Sequence, residues 1–209
     1  HWQFRHIFKD DNGLNIIRQV IELDEEHESS IRLAIDNNVP FGVTPYYLHL
    51  MDKEPCDMDY AVRRQVFPPL SYVENMIAHR KDKMWAFDFM RERDTSPIDL
   101  VTRRYPRVAI VKPYESCPQI CVYCQRNWEI TSPLMVSAQA PMEKIEAALD
   151  WFLEHEEMMD ILLTGGDPLV MSDSLIDRIL SRLAQIPHLK NIRVASRMPA
   201  TVPQRITEE

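Results

Sequence analysis

The sequence predicts an α/β protein in which residues 1–100 form a helical region and residues 101–209 alternate strands with helices. Three observations carry that expectation. Short β-branched or apolar runs stand at "RVAIV" (107–111), "DILLT" (160–164) and "NIRVAS" (191–196). Two longer segments of helical period separate these runs. Upstream of about Thr102 the apolar residues follow helical spacing instead.

In the first region, "LNIIRQVIEL" (14–23) and "DEEHESSIRLAIDNN" (24–38) read as successive helices, the second with acidic residues in its first turn and an Asn pair at its end. Pro40 and Gly42 interrupt the pattern. "TPYYLHLM" (44–51) is a short helix with Thr44 as N-cap and Pro45 at the first helical position, and "PLSYVENMIAHR" (69–80) is another. In the second region, Met142, Ile145, Leu149 and Phe152 make one apolar stripe. Ser172 caps a second helix with the stripe Leu175, Ile176, Ile179 and Leu183. Strands alternating with such helices pair in parallel, and their working loops lie at the carboxyl ends of the strands. Three loops occupy that position: "ESCPQICVYCQRNWE" (115–129), "TGGDPL" (164–169) and "SRMP" (196–199). One composite site is expected from them. Three strands are too few for a barrel, so the chain is expected to be a fragment.

Composition narrows the function classes. The 209 residues are 45% hydrophobic and 27% charged, as in an ordinary globular protein, and the net charge of −8 argues against a nucleic acid or an anionic membrane as partner. No apolar run reaches the roughly 18 to 20 residues needed to span a bilayer. The chain opens at His1 rather than Met, which leaves a leader segment open. Three of the four cysteines fall within eight positions, unlike a disulfide framework. Clustered thiols imply a reducing, cytoplasmic setting and a metal.

Cys117, Cys121 and Cys124 have the spacing CxxxCxxC, which lets one loop turn its thiolates toward a single iron–sulfur cluster. A zinc site completed by Cys56, a redox pair at Cys121 and Cys124, and three buried thiols are the other readings. There are only four glycines against 15 prolines, so the adjacent pair Gly165-Gly166 answers a specific backbone need. That need is either close approach to a ligand, with Asp167 facing an ammonium, or a strand-to-helix turn.

The cysteine spacing after a first strand, with the aromatic Tyr123 before the third cysteine, resembles the radical S-adenosylmethionine superfamily. "TPYYLHLMD" (44–52), "VRRQVFP" (62–68), "RRYPRV" (103–108), "LLTGGDPLVMSD" (162–173) and "RVASRMPATVPQRIT" (193–207) together with the cysteine loop resemble, more specifically, the lysine 2,3-aminomutase family. The resemblance spans nearly the whole chain. It implies the first three βα units of a partial (β/α)6, TIM-like barrel, truncated, behind an N-terminal helical region. It also implies an isomerase that moves the α-amino group of lysine or a related amino acid to the β-carbon by radical chemistry, using a [4Fe–4S] cluster, S-adenosylmethionine and pyridoxal 5′-phosphate. A reducing partner such as flavodoxin or ferredoxin, and a homo-oligomer, come with it. Residue by residue, the resemblance assigns Cys117, Cys121 and Cys124 to the cluster, and Tyr123, Gly165, Gly166, Asp167 and Ser196 to S-adenosylmethionine. Arg104, Tyr105 and Arg107 go to pyridoxal phosphate, whose lysine no residue here matches, and Arg126 to the substrate carboxylate. The plain alternatives are a basic strand start for the first arginines, charge balance at the thiolates for Arg126 and a turn cap for Ser196. Arg63, Arg64 and Gln65 match a motif of unassigned role, read as a solvated basic patch. "QRNWE" departs from the basic run usual after the third cysteine, a difference expected to bear on the substrate pocket.

Overall fold

The computed structural model describes residues 2–207. Its elements run α1 (Trp2–Arg5), α2 (Asp11–Val20), α3 (Glu25–Asp36), α4 (Pro45–His49), α5 (Asp57–Arg63), α6 (Leu70–Ala78), α7 (Lys83–Phe87), β1 (Val101–Thr102), β2 (Val108–Tyr114), α8 (Met142–Glu154), β3 (Asp160–Gly165), α9 (Asp173–Ala184), β4 (Asn191–Val194) and α10 (Met198–Thr201). The chain is therefore α/β, with ten helices among the described residues and a four-stranded mixed sheet of order β1-β2-β3-β4. Two compact units interleave along the sequence. The first comprises His1–Phe89, Cys117–Leu134 and Pro199–Glu209; the second comprises Met90–Ser116 and Met135–Met198.

Local chemistry sets the helix ends in the first unit. Asp10 accepts from Gly13 N at 2.9 Å, so α2 starts three residues before its apolar run. Asp24 accepts from His27 N at 2.7 Å and caps α3, and Thr44 Oγ1 accepts from Tyr47 N at 3.2 Å and caps α4. After α3, Asn38 takes a left-handed φ of 53°. The core gathers Leu14 and Ile17 of α2, Ile31 of α3, Phe41, Phe67, and Val73 and Met76 of α6.

Arg63 is the unit's buried polar centre. It is fully excluded from solvent; its Nε donates to Asp59, and its terminal nitrogens donate to the carbonyls of Glu22 (2.5 Å) and Asp52 (2.7 Å). A solvated patch is thus the wrong description of this residue. Arg63 binds three acceptors from three separate segments, one carboxylate oxygen and two backbone carbonyls, a spread that the planar fork of a guanidinium spans and the single point of an ammonium does not.

In the second unit β2, β3 and β4 pair in parallel, Val111 opposite Leu163 and Leu163 opposite Val194. Two features differ from expectation. β1 adds a two-residue antiparallel strand, Val101 opposite Val111, too short to carry any periodicity. And β2 runs past Val111 through Pro113 to Tyr114, with its register shifted between 111 and 114. Pro113 has no N–H to give the ladder, and its carbonyl accepts instead from Ala140 N at 2.9 Å. The stripes of α8 and α9 face the sheet as their spacing requires: Ile145, Leu149, Phe152, Ile179 and Leu183 are buried with Val111, Ile161 and Leu163. β4, by contrast, is largely exposed.

Arg63→Ala removes a buried cation and strands Asp59. Urea unfolding is expected to show a loss of about 3–5 kcal/mol, with no change from wild type contradicting the role given to Arg63.

Candidate functional site

The cysteine loop belongs to the first unit. It leaves β2 through Ser116 and is held by backbone bonds on both flanks: Ile120 N donates to Gly42 O (3.0 Å), Val122 N to Gln65 O (2.9 Å) and Leu134 N to Cys117 O (3.1 Å). Gln65, of unassigned role in the sequence, therefore supports the CxxC turn through its carbonyl. Within that turn Cys124 N donates to Cys121 O at 3.1 Å, and Arg126 N reaches Cys124 Sγ at 3.4 Å.

All four cysteines are free thiols; Cys117, Cys121 and Cys124 are half-buried and Cys56 is exposed, its Sγ 3.4 Å from Asp52. Burial pushes the Cys124 thiol up, the Arg126 N–H opposes this, and the charge of Cys121 raises it further. Among the described residues no three His, Cys, Asp or Glu side chains converge as a metal cage. The fit of the loop to a cluster rests instead on its donors. Two buried N–H groups on it, Gln119 Nε2 and Trp128 Nε1, have no hydrogen-bond partner among the described residues. Of the loop's N–H groups, that of Arg126 reaches a cysteine sulfur, as a donor to a thiolate-ligated cluster would.

Arg126 is buried, and its guanidinium pairs with Glu129 at 3.4 Å. Asn127 and Trp128 both contact the helical part of the unit. Asn127 is buried with its Nδ2 on Tyr72 Oη at 2.6 Å, and Trp128 packs against the helical core. Tyr123 is 58% exposed.

"TGGDPL" and "SRMP" belong to the second unit, where both glycines have packing reasons. Gly165 takes φ +112°, and a Cβ there would lie 2.8 Å from the Tyr114 carbonyl oxygen. At Gly166 a Cβ would overlap the Ser116 backbone. The turn is stitched down by Gly166 N on Tyr114 O (2.6 Å) and Asp167 N on Ser116 O (2.9 Å). Asp167 is buried and holds three donors: Ser196 Oγ (2.7 Å) and Leu169 N (3.1 Å) on Oδ1, and Arg197 N (2.8 Å) on Oδ2. Ser196 Oγ also accepts from Met198 N at 2.9 Å. Asp167 and Ser196 thus clamp the end of β3 to the end of β4.

Arg104, Tyr105 and Arg107 are exposed and precede β2 at its amino end. They lie a strand length, about 20 Å at ~3.3 Å per residue, from the carboxyl end where "TGGDPL" sits. The structure brings Asp167 and Ser196 together and leaves these three apart from them. A feature with no clear sequence signal is a cleft of about 550 Å³ lined by Asp24, His27, Tyr60, Arg64 and Phe67 and reaching Val122. There His27 Nδ1 meets Asp24 at 2.7 Å and the Arg64 guanidinium stacks over Tyr60.

Gly166→Ala forces a methyl into the Ser116 backbone. It is expected to lower stability by at least about 1–3 kcal/mol in urea unfolding, whereas a wild-type midpoint would mean that the turn is free to shift.

No protein-family model matches the chain. Over its full length it is 52% identical to an uncharacterised KamA family protein of Methanocaldococcus jannaschii, of which it covers 34%. It is 34% identical to an L-lysine 2,3-aminomutase of Bacillus subtilis, over 99% of the chain and 41% of that protein. To a glutamate 2,3-aminomutase of Clostridioides difficile the identity is 31%, over 100% of the chain and 46% of that protein. The chain thus spans between a third and a half of the length of these relatives. The stretches that suggested the family lie within similarity that runs end to end, and the chain belongs to the KamA, or lysine 2,3-aminomutase, family.

Proposed function

We propose that the chain is the cluster-binding part of a radical S-adenosylmethionine 2,3-aminomutase acting on a free α-amino acid. The observation that carries the reading is the loop Cys117-x3-Cys121-x2-Cys124, which follows a parallel strand and bears unpartnered buried donors. End-to-end similarity to aminomutases supports it. Order β2-β3-β4 with intervening helices is also what the first βα units of a partial (β/α)6 barrel require.

In this reading Cys117, Cys121 and Cys124 would hold a [4Fe–4S] cluster through their thiolates, and the cluster, short of a fourth protein ligand, would take S-adenosylmethionine. Bound cluster, S-adenosylmethionine and pyridoxal phosphate would supply the one-electron chemistry of hydrogen abstraction and amino migration. The chain's residues bind and orient. The Arg126 N–H stabilises the Cys124 thiolate. The Arg126 guanidinium, buried and therefore strong toward anions, is offered to a substrate carboxylate, which would share it with Glu129. Tyr123 and the Gly165-Gly166 turn are assigned to S-adenosylmethionine, with Asp167 and Ser196 holding that turn in shape. Arg104, Tyr105 and Arg107 are assigned to pyridoxal phosphate on the strength of the resemblance, their guanidinium forks suiting phosphate oxygens.

Lysine and glutamate are both substrates named among relatives of nearly equal similarity, 34% and 31%. The acceptor at the α-carbon end is common to the two, so Arg126 fits either. A cytoplasmic homo-oligomer served by a flavodoxin or ferredoxin, with no nucleic-acid or membrane partner, completes the proposal. Among the described residues no helix is long and apolar enough to cross a membrane.

Anaerobic reconstitution of the full-length protein tests the reading. It should take up iron and sulfide, cleave S-adenosylmethionine under dithionite, and convert L-lysine or L-glutamate to the β-amino acid, followed by mass spectrometry. Replacing any one of Cys117, Cys121 and Cys124 by Ala should abolish cleavage, and Cys56→Ala should leave it intact. A colourless protein holding one zinc, or loss of the metal with Cys56→Ala, would overturn it.

A further inference from the structure

Asn127, one of the residues that break the expected basic run after Cys124, is tied into the cysteine loop by several hydrogen bonds. Asn127 is 3% exposed. Its Nδ2 donates to Tyr72 Oη (2.6 Å), Cys121 O (3.1 Å) and Val122 O (3.2 Å), and its backbone N donates to Cys124 O (3.2 Å). One side chain therefore ties α6, which carries Tyr72, to the turn between the second and third cysteines. An amide has two N–H bonds, so the three acceptors must crowd close about it, and the turn is held to the position of the phenol.

We propose, resting on the cluster reading above, that Asn127 and Tyr72 are positioning residues that set the reduction potential of the cluster. Asn127 does so by fixing the Cys121–Val122 turn, and Tyr72 by offering its phenol O–H beside that turn. Tyr72 Oη accepts from Asn127, and no other hydrogen-bond partner of the hydroxyl occurs among the described residues, so its single proton is not committed to another of them. Burial pushes the phenol up to about 12, opposed by the Asn127 bond and reinforced by the charge of Cys124. A phenol is protonated throughout the neutral range, and the shared Asn127 amide places this one beside the Cys121 and Val122 carbonyls. Donors directed at cluster sulfurs stabilise the electron-rich reduced state and raise the potential. Neither residue touches substrate, and neither supplies a ligand.

The test uses the full-length, reconstituted protein with Tyr72→Phe and Asn127→Ala, read by a potentiometric titration followed by electron paramagnetic resonance and by iron and sulfide analysis. Tyr72→Phe is expected to keep wild-type iron content and circular dichroism while its midpoint potential moves to more negative values. Asn127→Ala is expected to move the potential in the same direction and to lower iron retention on gel filtration. If both variants keep the wild-type potential, spectrum and iron content, the inference is overturned while the cluster reading stands. If the wild type itself takes up no cluster, both fall. Should Asn127→Ala not fold, Tyr72→Phe, which removes a single oxygen, decides the matter alone.

Discussion

The contact between Gly166 and the Ser116 backbone is the constraint on which the strand unit depends. Parallel strands end side by side only if the chain leaving one does not obstruct the chain leaving the next. Here the turn after β3 crosses directly against the residue that follows β2, at a separation that admits no side chain. The two backbone hydrogen bonds that result, from Gly166 to Tyr114 and from Asp167 to Ser116, fix the residues that end β2 and follow it. From the same turn Asp167 reaches Ser196 and Arg197 after β4. Three consecutive strand ends are thereby tied through one pair of glycines and one carboxylate.

This changes what the residues of "TGGDPL" are for. A glycine pair read from sequence can mean room for a ligand or room for the protein's own backbone, and both uses leave the same letters. The structure favours the second for the atoms it describes, since both carboxylate oxygens of Asp167 and the hydroxyl of Ser196 already have protein partners. A binding role for this turn is then carried by its shape and not by a free charge. The cysteine loop shows the reverse: Gln119 Nε2 and Trp128 Nε1 lie buried without partners among the described residues, at a cost of about 1–3 kcal/mol each. A fold tolerates that where another group makes use of them.

Much of the architecture was legible because it depends on local chemistry. The caps at Thr44 and Ser172 and the stripes of α8 and α9 are decided within a few residues, and they stand where the sequence puts them. What was not legible depends on partners far along the chain. β1 exists only because Val111 offers it a partner, and β2 continues through Pro113 because Ala140 meets its carbonyl. Arg63 looks like surface in the string "VRRQ" yet is buried, since its acceptors come from residues 22, 52 and 59. Likewise, the letters "NW" after the third cysteine give no sign that Asn127 bonds to Tyr72, 55 residues away.

The interleaving of the two units bears on how the protein is made. Thr44 opens α4 near the start of the chain, yet its hydroxyl donates to the carbonyl of Thr201 at 2.6 Å across 157 positions, and Gln119 approaches it across 75. The helical unit can therefore not be finished as it leaves the ribosome. It must wait, with Phe41, Val43 and their neighbours incompletely covered, until the whole strand unit has been synthesised and the chain has returned. Contacts of such sequence separation slow folding and prolong the exposure of apolar surface. A cell producing this protein would meet it first as a client for chaperones, and cutting the chain at residue 90 would release a helical half without the segments that complete it.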